Sequence, residues 1–346
     1  MFLRNAWSVA AWDRDITREP LGRIFLNEPV VLYRLEDGTP VALEDRCCHR
    51  RFPLHKGTLI GDLLQCHYHG LQFDRTGACV RVPGAATVPP QARVRRYPLV
   101  ERNKWLWIWM GDPALADESM IEDFHWIDDP DWGCRGTRFH VEADYRLIIE
   151  NLLDLSHLTY VHASTIGNDA TANAAKVATE REGDLVRVTR WMIDQPAPPT
   201  YVKAAGFTSN VDRWQIIEYT PPAFIRLYTG AAETGTGAPQ GDRVGGIGLR
   251  NLNAMTPETE TTTHYFWAQA HDYRPDDTEH TEWMFRQIET AFRQDVDVFH
   301  AQQRNIDLDP EAPFISVASD AGGLQALRIL DRRIRDEAQS RPAAAE

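Results

Sequence analysis

Cys47 and His49, followed after sixteen residues by Cys66 and His69, set two thiols and two imidazoles in the pattern C-x-H-x16-C-x2-H. Two sulfurs on one iron and two imidazole nitrogens on the other can hold a [2Fe-2S] cluster. Neutral imidazoles in place of two thiolates leave such a cluster less negative and raise its reduction potential. The same four groups could instead close a structural zinc site. Zinc motifs usually open on C-x2-4-C, whereas here each half pairs one Cys with one His, which favours iron and sulfur. Cys48 and His67 each lie between two ligands, and adjacent residues on a tight loop point in different directions. Both are read as spacers.

A second group of candidate ligands follows. Asp154 and His157 are three apart in the apolar helical stretch Leu147–His162, so they share one helix face. His162 lies five beyond His157, a rotation of about 140° on an ideal helix. The two imidazoles can therefore meet one metal only if the helix ends or unwinds nearby. Ser156, Thr159 and Tyr160 are weak helix formers there. A His pair with one carboxylate is the facial triad of non-haem Fe(II) oxygenases, which leaves positions open for O2.

These groups need a scaffold, and the chain is long enough for two domains at 346 residues with 43% hydrophobic content. From residue 1 to about 115 it reads as short strands and turns. Val30–Leu35, an Asp37-Gly38 turn and Pro40–Leu43 make a hairpin signal, and the two ligand pairs fall on loop tips like the jaws of a pincer. His55 is read as an exposed loop residue. Trp105, Trp107 and Trp109 alternate with Leu106, Ile108 and Met110, as in a strand buried on both faces. From 116 to 346 the reading changes to long strands (185–191, 213–219, 224–228, 262–269) and two closing helices, about 279–300 and 323–338. The Gly-rich stretch 230–248 reads as an open loop and the 340–346 tail as frayed. The fold class is α+β: an all-β N-terminal domain, then an antiparallel sheet wrapped on helices.

Charge and composition narrow the partners. A formal charge of −13 argues against nucleic acid and anionic membrane. There is no apolar run of 18 residues to span a membrane, and the N-terminal apolar stretch is too short for a secretory signal. Five cysteines without a disulfide pattern fit a reducing, cytoplasmic setting.

The Cys47/His49/Cys66/His69 pattern resembles the Rieske proteins. With the segment Asn151-x2-Asp154-x2-His157-x4-His162 downstream, the chain resembles the Rieske non-haem iron oxygenases. Asn5–Ala10, Asp154–Gly167, Asp212–Gln215 and Thr256–Glu260 with His264–Trp267 look like the vanillate-type O-demethylase branch. The resemblance covers nearly the whole chain and implies a Rieske domain followed by a helix-grip catalytic domain.

It carries further implications. The iron carboxylate comes late, in an F-x-E-D helix that here reads Phe292-Arg293-Gln294-Asp295, so Asp295 is the implied ligand and Gln294 departs from the usual Glu. Asp297, two residues on, cannot face the same metal. Asp154 is implied to orient His157 and to bridge it to the cluster ligand His69 of a neighbouring subunit, which implies a homotrimer. Asn151 is assigned to the hydrogen-bonded shell of the iron. Tyr68, where respiratory Rieske proteins carry a disulfide cysteine, favours the lower-potential oxygenase type. The implied activity hydroxylates a methoxy or methyl carbon of an aromatic acid with O2; a hydroxylated methoxy group collapses to a phenol and formaldehyde. Lacking a G-x-G-x-x-G fingerprint, the chain implies a separate NAD(P)H-dependent flavin/iron–sulfur reductase. A buried carboxylate needs a cation or several donors: Arg226 and Arg250 are candidates, and Asn253 is a pocket candidate by resemblance. Other substrates of the same machinery, and a Rieske electron carrier or binding protein without oxygenase activity, remain alternatives.

Overall fold

A computed structural model describes residues 1–163, 166–167 and 175–340. Ser164 and Thr165 of the Asp154–Gly167 stretch, and 341–346 of the tail, lie outside the described residues. Two compact units are present. One is Met1–Glu122 with Thr256–Glu260; the other is Asp123–Met255 with the chain from Thr261 onward.

The first unit is built on β1 (Trp7–Trp12), β2 (Leu21–Phe25), β3 (Glu28–Arg34), β4 (Pro40–Glu44), β5 (Thr58–Ile60), β6 (Leu63–Gln65), β7 (Gln72–Phe73), β8 (Cys79–Arg81), β9 (Leu99–Arg102) and β10 (Trp105–Trp109). They form three small antiparallel sheets, β1-β10-β9, β2-β3-β4 and β5-β6-β7-β8. Period-two alternation in β3 feeds two cores. Val30 and Leu32 pack with Leu106 and Ile108, while Val31 and Tyr33 pack with Leu43, Phe73 and both candidate thiols, Cys47 and Cys66. Burying each large apolar side chain contributes about 1.5–3 kcal/mol, so the ligand loops are anchored by the core they cap. All five residues of β10 are buried. Trp105 and Trp109 meet Trp12 and Trp7 edge-on with ring centroids 5.4 and 5.5 Å apart.

The second unit is a seven-stranded antiparallel sheet among the described residues. Its strands are β11 (Gly133–Val141), β12 (Lys176–Glu182), β13 (Leu185–Gln195), β14 (Val211–Thr220), β15 (Phe224–Glu233), β16 (Ile247–Pro257) and β17 (Thr263–His271), in the order β11-β17-β16-β15-β14-β13-β12. Among the described residues the α-helices are α1 (Tyr145–Leu153), α2 (Leu158–Val161), α3 (Pro199–Ala205), α4 (Thr278–Leu308) and α5 (Ala321–Ser340). The long α4 grips the sheet through stacked rings, Phe285 on Trp267 at 5.0 Å and Phe292 on Tyr265 at 5.8 Å. It runs past the expected end near 300 because no Gly or Pro interrupts it before Pro310.

The open loop expected over 230–248 is a correction. β15 continues to Glu233 and β16 begins at Ile247, so only the middle of that stretch is a connection. Gly230 is a strand residue for a packing reason. A Cβ there would lie 2.0 Å from Trp214 Cζ2 and 2.3 Å from the Ile247 carbonyl, so the indole occupies the space a side chain would take.

Candidate functional site

The two candidate cluster loops are built alike. The Cys47 N–H donates to Phe52 O and its carbonyl accepts from Arg51 N; the Cys66 N–H donates to Leu71 O and its carbonyl accepts from Gly70 N. In each loop the residue four beyond the Cys takes positive φ, +56° at Arg51 and +74° at Gly70. The matched turns bury both cysteines and leave His49 and His69 exposed, with ring centroids 4.6 Å apart. Burial pushes the Cys47 thiol up to about 12, and the neighbouring Cys66 adds to the shift against a hydrogen bond from the His49 backbone. Two adjacent buried thiolates are thus unfavourable without a cation, and metal charge is what would make them stable. Cys48 and His67 are exposed, and His67 hydrogen-bonds Thr58 Oγ1 at 2.7 Å. His55, expected on the open surface, is half-buried and paired with the buried Asp45.

In the second unit the helical stretch breaks at Asp154, which is extended at φ −118° and ψ 97°. A 3-10 turn, Leu155–His157, precedes α2, and His162 falls just past the end of α2. This interruption resolves the angular mismatch. The Nε2 atoms of His157 and His162 lie 3.5 and 3.0 Å from Asp295 Oδ1, and the three ligand atoms lie within 4.8 Å of one another. Asp295 is buried on the inner face of α4, whereas Asp297 is exposed on the outer face.

The surroundings fit a divalent metal. His157 Nδ1 is hydrogen-bonded to the Asp154 carbonyl at 2.7 Å and His162 Nδ1 to Gln294 Oε1 at 2.8 Å. Each outer nitrogen donates its proton, which leaves Nε2 as the inward ligand atom. Burial holds the His157 pKa below its ordinary value. At His162 burial is outweighed by the hydrogen bond and charge of Asp295, which raise it. A metal ion would replace that proton. Asn151 donates weakly to Asp295 Oδ1 at 3.4 Å, and its own Oδ1 has no partner among the described residues. The Asp154 carboxylate accepts from Ser156 N and Oγ and lies 3.6 Å from Arg190. His157 is therefore oriented by the Asp154 backbone carbonyl, where the sequence expectation had the carboxylate.

A cavity opens on this triad. Its walls are mainly apolar, from Leu155, Leu158, Met284, Ile288 and Phe292 among others. Alternation along the sheet decides which polar residues join them. β14 contributes Arg213 and Gln215, β15 Thr229, β16 Asn251 and β17 Gln269. Period two then turns Arg226 and Arg250 to the opposite face. Arg226 lies 3.6 Å from Glu218, and the Arg250 guanidinium sits 3.9 Å from the Tyr228 ring centroid and 4.6 Å from that of Trp126. Asn253 faces inward but lies beneath the lining. Its Nδ2 donates to Asn251 Oδ1 at 2.9 Å, and its Oδ1 accepts from Tyr265 at 2.7 Å. The cavity cation that sequence reasoning missed is Arg213. Its signal was a polar residue at every second position, Arg213-x-Gln215, in a strand otherwise apolar on that face.

Residues 6–98 match the Rieske [2Fe-2S] domain and residues 141–336 the vanillate O-demethylase oxygenase C-terminal domain. The iron-sulfur subunit of the toluene-4-sulfonate monooxygenase system of Comamonas testosteroni is 44% identical over 97% of this chain and 98% of its own. A vanillate O-demethylase oxygenase subunit of a Pseudomonas species is 38% identical over 99% and 98%. The crystal structure of dicamba monooxygenase with non-haem iron and dicamba superposes with a TM-score of 0.82 at 31% identity, covering 98% of this chain and 99% of that one.

Proposed function

Because the chain belongs to the Rieske non-haem iron oxygenases, in the branch of the vanillate O-demethylase oxygenase components, we propose that it oxidises the methoxy carbon of an aromatic acid. The observation that carries this reading is the apolar cavity ending on His157, His162 and Asp295. An Fe(II) ion held by those three, with electrons from a [2Fe-2S] cluster on Cys47, His49, Cys66 and His69, supplies the activation of O2. The leucine, isoleucine and phenylalanine walls hold the ring and exclude water, and Asn151 steadies the Asp295 carboxylate. The balance is ArOCH3 + O2 + 2e− + 2H+ giving ArOCH2OH and H2O. The hemiacetal then breaks its C–O bond to release a phenol and formaldehyde.

Both electrons come from outside the chain, so a separate NAD(P)H-dependent flavin/iron–sulfur reductase is the partner. The working unit is a homotrimer in which Asp154 of one copy reaches toward His69 of the next; sedimentation at dimer mass would remove that part of the reading. A second reading, hydroxylation of a ring methyl, is favoured by the 44% identity to the toluene-4-sulfonate relative. The test is a single turnover of chemically reduced, iron-loaded protein with O2 and vanillate. Protocatechuate and formaldehyde near one equivalent per site are expected. Hydroxylation of the 4-toluenesulfonate methyl group with no vanillate product would select the second reading, and no product from either would overturn both.

A further inference from the structure

Arg213 is only 3% exposed, yet among the described residues neither its Nε nor its Nη1 finds an acceptor. Its Nη2 reaches the Ile166 carbonyl at 3.3 Å, and the Tyr201 ring lies 4.9 Å from the guanidinium. No carboxylate among the described residues pairs with it. A guanidinium stays charged in a protein, so among the described residues this is a buried cation without a counter-ion, an unfavourable arrangement. The neighbouring strand adds charge of the same sign. Arg190, opposite Gln215 in the β13–β14 ladder, is 4% exposed and lies 3.6 Å from Asp154.

Around Arg213 the cavity offers further polar groups without filling the gap. Gln215 is 1% exposed and its Oε1 has no partner among the described residues; a half-turn of its amide presents Nε2 as a donor. Thr229 Oγ1 accepts from Tyr201 at 3.0 Å, which leaves its own proton to donate. The donors face a cavity whose walls are mainly apolar and that also carries the metal triad.

We propose that Arg213, with Gln215 and Thr229 beside it, is the anion anchor of this cavity, and that its ligand is an aromatic ring bearing a carboxylate or sulfonate. The charge fixes one end of the ring while the apolar walls present a methyl-bearing carbon to the triad. This rests on the cavity being the substrate site, as in the function proposed above. A site of this kind rejects neutral analogues strongly, because they leave its donors unpaired.

The test is calorimetric binding of 3-methoxybenzoate, 4-toluenesulfonate and the neutral methyl 3-methoxybenzoate to the holoprotein, without turnover. In Arg213→Met both anions should weaken on the order of 100-fold, as expected for charge-assisted hydrogen bonds, while the ester changes less than about threefold. Arg213→Lys should recover part of the loss, and Arg226→Gln should bind like the wild type. Whichever anion binds the wild type more tightly names the natural charge. Wild-type protein binding ester and acid equally, or Arg213→Met holding both anions at wild-type affinity, would overturn the proposal. If the Met variant does not fold, the acid-to-ester ratio of the wild type and the Lys variant decide the matter. Loss of anion binding in Arg213→Met alongside a wild type that turns over neither substrate would keep the anchor and remove the oxidation reading.

Discussion

Gln294 holds His162 through one hydrogen bond, and replacing it by leucine should weaken iron binding without touching the cluster. The wild-type contact is 2.8 Å, and His162 is 1% exposed, so the lost acceptor is poorly replaced by solvent. Leaving a buried N–H unpaired costs about 1–3 kcal/mol. At 1.4 kcal/mol per tenfold this predicts a loss of about 5- to 150-fold in Fe(II) affinity, in line with the usual effect of removing a group that orients a metal-binding histidine. Gln294→Glu should move affinity the other way, because an ionised acceptor makes a stronger bond and a more basic imidazole. The assay is competition for Fe(II) against a chelator, with the cluster absorbance and EPR signal as an internal control in the other unit. Gln294→Leu binding iron within twofold of wild type, with its melting temperature unchanged, would falsify the claim that this contact sets the imidazole.

Asp295→Ala should lose stoichiometric iron while keeping the cluster spectrum, whereas Asp297→Ala, on the exposed face of the same helix, should keep both; metal analysis of the two variants separates them. Gly230→Ala should destabilise the second unit by about 1–3 kcal/mol through overpacking against Trp214, seen as a lower melting temperature, and an unchanged one would refute the packing argument. His271 is fully buried, and burial holds its pKa below the ordinary histidine value. In the unfolded chain it takes up a proton that the folded site resists, so its contribution is intact above about pH 6.5 and falls as pH drops below that. Urea unfolding at pH 7.5 and 5.5 should show the loss, and His271→Gln should flatten the slope.

Much of the chemistry was legible in the order of residues, for reasons that are local. Cysteines and histidines on short loops reach a common metal only at a few spacings, so C-x-H and C-x2-H speak without their surroundings. The alternation of Trp105 to Met110 and the Asp37-Gly38 turn are likewise properties of a few bonded neighbours. The long helix carrying Asp295 followed from an apolar period with no Gly or Pro inside it. The segment from Asn151 to His162 was legible in kind only. Its five-residue spacing demanded a break, but the place of the break, the extended Asp154, is set by how α1 and α2 pack.

Tertiary structure alone decided which polar residues surround the cavity. Arg213, Arg226 and Arg250 are equally charged, and each stands in a strand. Nothing in composition separates a cation that faces inward from one that lies on Tyr228 or near Glu218. Side chains of a strand alternate, so a shift of one residue exchanges the two faces, and that register comes from the ladders between β13, β14, β15 and β16. The orienting partner of His157 was decided in the same way. A backbone carbonyl has no signature in sequence, and only the fold brings that of Asp154 to the imidazole.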